Sequence, residues 1–331
     1  MTTAFVTGAG SGIGFAIAHR LLALGWNVVA TDKETGPWSV ALGAPRPQLR
    51  ILSLDVRNSD QVHAAAQVAG DVDLLVNNAG IAIFGTQEES DLDAVRDLFE
   101  VNVLGPARVT QALLPSLRQR KGTIVQISSL AGKAVFPESG FYAATKHALE
   151  AMSEALVQEV APFGVRVRVV EPGAYATRLQ DTAAAASRNP PADSPYAELR
   201  PVWDARREET LTAGGAPDEV AQAVVASLED PAPFARLAVG VDAAHILDLR
   251  NELGDAAFVQ LSIERNGGPA SDRGPAHVRS PQEVLSAPDH VLEPTRAAYV
   301  HGHLGHWAEG EDGQEALSRL EALSGSRGAN T

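Results

Sequence analysis

Over roughly the first two-thirds of the chain, short apolar runs alternate with longer stretches whose apolar positions recur three and four residues apart. AFVTG reads as a strand, and SGIGFAIAHRLLALG behind it carries the helical spacing and closes on Gly25. WNVVATD and LRILSLDV read as the second and third strands, SDQVHAAAQVAG as a helix, and VDLLVNNAG as a fourth strand running into a turn. A long helical region is expected over 91–120, kinked at Pro106 because proline has no N–H to close the helical turn. GTIVQISS is the fifth strand, a helix carrying FYAATKHALE follows, and GVRVRVVEPG is the sixth strand. PDEVAQAVVASLED then reads as a helix and RLAVGVD as a seventh strand. Parallel neighbours need a crossover, and a helix supplies it. The alternation therefore predicts an α/β fold, a doubly wound parallel sheet of about seven strands with helices on both faces.

Two segments depart from this rhythm. Residues 174–217 are rich in alanine, proline and charge, and read as an insertion over the carboxyl edge of the sheet, a candidate substrate lid. Trp203 and Tyr196 within it either line the substrate space or pack the lid onto the body. After Arg265 the pattern changes: NGGPASDRGPAHVRSP has linker composition, and EPTRAAYVHGHLG and GQEALSRLEALS are weak helical stretches to which the pattern assigns no fold. The expected organisation is one domain over 1–265 and a C-terminal extension over 266–331.

Composition narrows the function classes. A chain of 331 residues with 45% hydrophobic residues can bury one large core. Its net charge of -14 argues against nucleic acid and anionic membranes as partners, since both repel it. It has no cysteine, which removes disulfides, thiolate metal sites and thiol nucleophiles. No basic and apolar leader precedes AFVTG, and no apolar run approaches the roughly 20 residues of a membrane helix, so a cytoplasmic protein is expected. HGHLGH, 301–306, resembles a metal cluster, but its intervening glycines in an ill-defined tail favour a solvated or packed segment, and no metal is expected.

The candidate chemistry begins at TGAGSGIG, which follows the first strand and opens the first helix. It lacks the GK[ST] of a phosphate loop of the Walker type, and its glycines, Gly8, Gly12 and Gly14, are spaced GxxxGxG. Glycines there let backbone approach a pyrophosphate while the helix N-terminus offers N–H donors. Asp32 ends the second strand, where a carboxylate accepts hydrogen bonds from an adenosine ribose and repels a 2′-phosphate. NAD(H) is favoured, with Lys33 keeping NADP(H) possible. Tyr142 and Lys146 stand four apart, so a helix sets them on one face.

Taken together, TGAGSGIG, LVNNAG, Asn102 in FEVNVLG, IVQISS, YAATK and EPGAYAT, in this order, resemble the classical short-chain dehydrogenase/reductase family over about residues 3–265. The resemblance implies a Rossmann-type domain and a nicotinamide cofactor. It implies a catalytic set of Asn102, Ser129 (rather than Ser128), Tyr142 and Lys146. It implies cofactor contacts from Gly8, Ser11, Gly12, Ile13 and Gly14, from Asp32, from Asp55 and Val56, and from Asn78, Ala79 and Gly80. Pro172, Gly173 and Thr177 would hold the carboxamide, with Tyr175, Tyr142 and Lys146 also touching the cofactor. A homodimer or homotetramer built on the broad apolar faces of helices 91–120 and 141–161 is implied as well, although from the residues alone those faces equally suit the core. Three features depart from the family pattern: Thr145 stands where serine is commoner, Tyr175 where a β-branched residue is usual, and the chain runs on past the usual end.

The implied chemistry is interconversion of a secondary alcohol and a ketone on a small or medium organic substrate. A phenol is a poor base at neutral pH. A neighbouring ammonium, together with a positively charged nicotinamide, is expected to lower its pKa. Tyr142 would then exchange a proton with the substrate oxygen, Ser129 would position that oxygen, and Asn102 would break its helix and hold a relay water. The alternatives are an NADPH-dependent ketoreductase and a non-catalytic cofactor-sensing protein on the same fold.

Overall fold

The computed structural model describes residues 2–175, 191, 193–212 and 214–269, all within a unit spanning Met1–Arg273. Seven strands, β1 (Thr3–Thr7), β2 (Asn27–Asp32), β3 (Leu49–Ser53), β4 (Leu74–Asn77), β5 (Thr123–Ile127), β6 (Arg166–Pro172) and β7 (Phe234–Val239), form one sheet. Every pairing is parallel and the order is β3-β2-β1-β4-β5-β6-β7. This is the Rossmann-type sheet that the alternating pattern predicts.

The central strands are largely apolar and buried because both faces of the sheet are covered. Successive side chains point to opposite faces. Ala4, Val6, Leu74 and Val76 therefore join one core cluster, with Ile17 and Leu21 of α1 (Gly12–Ala23). Phe5 and Leu75 join the other, with residues of α3 (Ser59–Ala69). A four-residue turn of helix, α2 (Trp38–Ala41), precedes α3. Asn58 starts α3 by accepting the N–H groups of Asp60 and Gln61 at 3.0 and 3.1 Å.

The expected long helix over 91–120 is two helices. α4 (Leu92–Phe99) passes through a π-helical turn, Glu100–Leu104, into α5 (Gly105–Arg120). The irregular turn lies upstream of Pro106, which occupies the first turn of α5. The missing N–H of Pro106 would have bonded the carbonyl four residues earlier, that of Asn102, so the disturbance falls there and not at the proline itself.

α6 (Gly140–Val160) follows β5, and the described residues beyond β6 hold three helices to which the apolar pattern assigns nothing. These are α7 (Arg200–Thr212), inside the expected lid, α9 (Val241–Leu253) and α10 (Asp255–Arg265). α8 (Pro217–Ser227) is the helix the sequence indicates. α7 buries none of its residues, so it has no apolar stripe to read. Most of the C-terminal extension, including HGHLGH and both weak helical stretches, lies outside the described residues.

Candidate active site

In a sheet of this topology, β1 is the point from which the chain builds outward in both directions, and ligands bind in the crevice at the carboxyl ends there. A cleft of about 800 Å³ occupies that position. This is inside the roughly 300–1,000 Å³ range of small-molecule sites. Asp32 lines one end, and Tyr142, Lys146 and Ser129 line the other.

The glycine turn is shaped by close backbone contacts. Gly8 has φ 64°, and a Cβ on it would lie 2.9 Å from Ala79 Cα. A Cβ on Gly14 would overlap the Gly8 carbonyl oxygen, so the start of α1 packs directly on the turn. Asn78 laces this turn to β4: its Nδ2 donates to the carbonyls of Thr7 and Gly8 at 2.9 and 3.0 Å. The Thr7 hydroxyl accepts the N–H groups of Asn78 and Ala79 at 3.0 Å. Ser11, Gly12, Ile13, Ala79 and Gly80 border the same cleft.

At the far end, Asp32 Oδ2 accepts the Gly10 N–H and Oδ1 the Lys33 N–H, both at 2.8 Å. Asp55 is paired with Arg57 at 2.8 Å, and the guanidinium holds its carboxyl below the usual range. Val56 lies beside it. Sequence reasoning missed Arg57 and Trp38, which also line this end. A lone arginine two residues after Asp55 and a tryptophan opening a four-residue helical turn carry no motif.

At the reactive end, α6 presents Tyr142 and Lys146 on one face, as the i,i+4 spacing requires, and both are buried. Lys146 Nζ donates to the Ile127 carbonyl at 2.9 Å and lies 5.8 Å from the centroid of the Tyr142 ring. Burial pushes the Lys146 ammonium down to about 8, with the Glu150 charge acting against it.

The expected lowering of the Tyr142 pKa is not met by the chain's own residues. Burial pushes the phenol up to about 12, and only a hydrogen bond with Ser129 pulls it back. The loss of water around the phenol outweighs an ammonium that lies over the ring and is itself desolvated. Ser129 caps a short 3₁₀ turn, its Oγ accepting the Ala131 N–H at 3.1 Å. The neighbouring Ser128 hydroxyl is buried without a protein partner.

Asn102 sits in the π-helical turn, as expected of a helix break. Its amide is spent on protein partners. Oδ1 accepts the Ile81 N–H at 2.9 Å, and Nδ2 donates to the Ile81 carbonyl at 2.8 Å and to Thr145 Oγ1 at 3.1 Å. Thr145 in turn donates to the Tyr142 carbonyl at 2.7 Å. The departure at Thr145 thus still supplies the hydroxyl that ties Asn102 to the helix of Tyr142 and Lys146.

Pro172, Gly173 and Tyr175 border the cleft after β6. Tyr175 is buried in the core beside α1 and α8, and its hydroxyl donates to Glu219 at 3.2 Å. Asp242, at the start of α9, accepts the Ala174 N–H at 2.7 Å, a support that no local motif signals. Thr177 lies outside the described residues.

Tyr196 and Trp203 pack on each other, with ring centroids 6.1 Å apart, and neither borders the cleft. The contact between α7 and the reactive end comes instead from Arg207. Its guanidinium lies 5.6 Å over Phe84, whose ring is 6.3 Å from that of Tyr142. Arg200 joins Glu138, at 2.6 Å, and Glu89. Among the described residues, no cluster of histidine or carboxylate groups could hold a metal, and no helix is long and apolar enough to cross a membrane.

A glycine turn that excludes side chains, a carboxylate at one end and a buried phenol and ammonium at the other fit an extended dinucleotide with its reactive ring beside Tyr142. Fold and site together define an α/β protein of the dinucleotide-binding Rossmann type. A model of the family described as short chain dehydrogenase matches residues 2–188. Estradiol 17-beta-dehydrogenase 1 of Rattus norvegicus is 35% identical over 251 residues, which is 71% of this chain and 72% of that protein. A short-chain dehydrogenase/reductase of Burkholderia phymatum, solved in complex with NAD, is 28% identical, with a TM-score of 0.67 over 76% of this chain and 93% of its own. A short chain dehydrogenase of Burkholderia cenocepacia, solved in complex with NADP, is 27% identical, with a TM-score of 0.64 over 81% and 98%. The chain belongs to the short-chain dehydrogenase family of oxidoreductases.

Proposed function

We propose that this protein is an NAD(P)(H)-dependent oxidoreductase interconverting a secondary alcohol and a ketone on a small or medium organic substrate, with NAD(H) favoured. The observation that carries the reading is the convergence of Ser129, Tyr142 and Lys146 at the end of the cleft opposite Asp32. A pure binding protein has no need of a buried phenol there.

A nicotinamide dinucleotide bound in the cleft supplies the hydride donor or acceptor. Gly8 and Gly12 would receive its pyrophosphate while Gly14 lets α1 pack on the turn; Asp32 would take its adenosine ribose, and Asp55 and Val56 its adenine. Lys146 holds the nicotinamide ribose, and Pro172 and Gly173 the carboxamide. Ser129 Oγ orients the substrate oxygen. Tyr142 Oη gives it a proton in reduction and takes one in oxidation. With the phenol pushed up to about 12, Tyr142 is already in the donor form at neutral pH. Oxidation needs phenolate, which the Lys146 ammonium favours. Asn102, bonded to Thr145, anchors the start of the helix that carries Tyr142 and Lys146.

The preference for NAD(H) rests on Asp32, whose carboxylate borders the cleft and repels a 2′-phosphate. Arg57 is already paired with Asp55, which leaves Lys33 as the cation that would favour NADP(H). Fluorescence titration with NADH and NADPH tests this. NADH should bind more tightly, and Asp32→Ala should shift the ratio toward NADPH by about tenfold, the worth of one charged hydrogen bond. An unchanged ratio removes Asp32 from the role.

A further inference from the structure

The helical face that carries Tyr142 and Lys146 continues to Glu150, one turn further on. Glu150 is only 3% exposed, an unusual position for a carboxylate, and the chemistry described above does not use it. It faces a second buried carboxylate, Glu171, also 3% exposed, which stands near the carboxyl end of β6. One oxygen of each, Glu150 Oε1 and Glu171 Oε1, is buried without a hydrogen-bond partner in the protein.

The charged groups around the pair come from four elements. α6 brings Lys146 and Glu154 besides Glu150, the segment after the 3₁₀ turn brings Lys133, β6 brings Glu171, and β7 brings Arg236. Arg236 Nε lies 2.9 Å from Glu150 Oε2 and 3.5 Å from Glu171 Oε1, and its Nη2 pairs with the exposed Glu154. Lys133 Nζ stands 3.8 Å from Glu150 Oε2. Two adjacent buried carboxylates sharing one guanidinium cannot both stay ionised without cost. Burial, then the neighbouring Glu150 charge, push the Glu171 carboxyl up to about 7. On the other side, Glu150 opposes the desolvation that lowers Lys146.

We propose that Glu150 and Glu171 form a proton-sharing pair behind the active-site lysine: Glu150 holds Lys146 in its ammonium form, and Glu171 carries the pair's exchangeable proton. They are positioning residues, acting on the substrate only through Lys146. The proposal rests on the reading of Lys146 as part of the active site. It makes the charge behind the lysine, and with it the ease of ionising Tyr142, follow pH near neutrality.

The test reads Lys146 directly and needs neither cofactor nor turnover. Full-length protein labelled with 13C at lysine Cε carries four labelled side chains, Lys33, Lys121, Lys133 and Lys146. Lys146→Arg identifies the signal of interest by its loss. Its pH titration by NMR should show a main step and a smaller inflection near neutrality. In Glu150→Gln the main step should fall by about one pH unit, the loss expected when a nearby opposite charge is removed. Glu171→Gln imitates the protonated carboxyl and should keep the fold; it should abolish the smaller inflection and leave the main step. A Lys146 midpoint unchanged in folded Glu150→Gln overturns the proposal, as does an inflection that survives in Glu171→Gln. Should Glu150→Gln fail to fold, the Glu171→Gln result decides alone. Failure to bind NADH would refute the proposed function and leave this titration readable.

Discussion

Asn102 shows how a single side chain serves both fold and chemistry. Its amide makes three hydrogen bonds, two to the backbone of Ile81 and one to Thr145. Truncating it removes both partners of the half-buried Ile81 N–H and carbonyl, and each hydrogen bond lost costs about 0.5–1.5 kcal/mol. Asn102→Ala should therefore lower the unfolding free energy in urea by about 2 kcal/mol. Asn102→Asp can still accept from Ile81 but loses both donors, and should fall between. Equal stability of all three proteins would show that the clamp contributes nothing. Tyr142 and Lys146 were legible from spacing and family pattern because the chemistry demands those residue types. Their environment was not legible. That burial would push the phenol up to about 12 depends on which surfaces close over α6, and that is set by segments distant in sequence.

The strands were readable from the chain as short apolar runs buried on both faces, and the helices between them as apolar positions repeating every 3.6 residues. The elements that escaped are those whose apolar residues face weak or local partners. α7 is RPVWDARREETLT, a charged helix held by side-chain pairs rather than by a buried stripe. Arg200 ties it to Glu138 and Glu89, whose side chains are 5% and 12% exposed. Arg207 adds a second link to Glu138 at 3.2 Å. These ties should position α7 over the substrate space while adding little to the core. Arg200→Ala is expected to raise KM several-fold with kcat nearly unchanged, the pattern of lost binding rather than lost chemistry. A variant that loses kcat with an unaltered KM would place α7 in the chemistry instead. The helix breaks at the π-helical turn Glu100–Leu104, where Asn102 was expected to interrupt it, and not at Pro106. Proline's effect is felt by the carbonyl four residues back, so the sequence marks the cause and the structure marks the result.

At the scale of the whole molecule, the sheet order brings together residues that are far apart in the chain. Gly8 and Asp32 come from β1 and β2, Ser129 from the end of β5, and Pro172 from β6, and each lies at a carboxyl end bordering one cleft. No local pattern encodes that convergence. It follows from right-handed crossovers that place every strand's carboxyl end on the same edge. On the proposed function, this edge is an active site with Tyr142 as its proton-transfer group. The most direct test compares wild type with Tyr142→Phe in two assays: turnover of a panel of alcohols with NAD and ketones with NADH, and NADH binding by fluorescence. The ring and its packing are kept and only the hydroxyl is lost. Turnover should fall by about 10²–10⁴-fold, the usual worth of a positioned acid or base, while NADH affinity changes by no more than a few-fold. Turnover that persists in Tyr142→Phe with NADH still bound would contradict the claim.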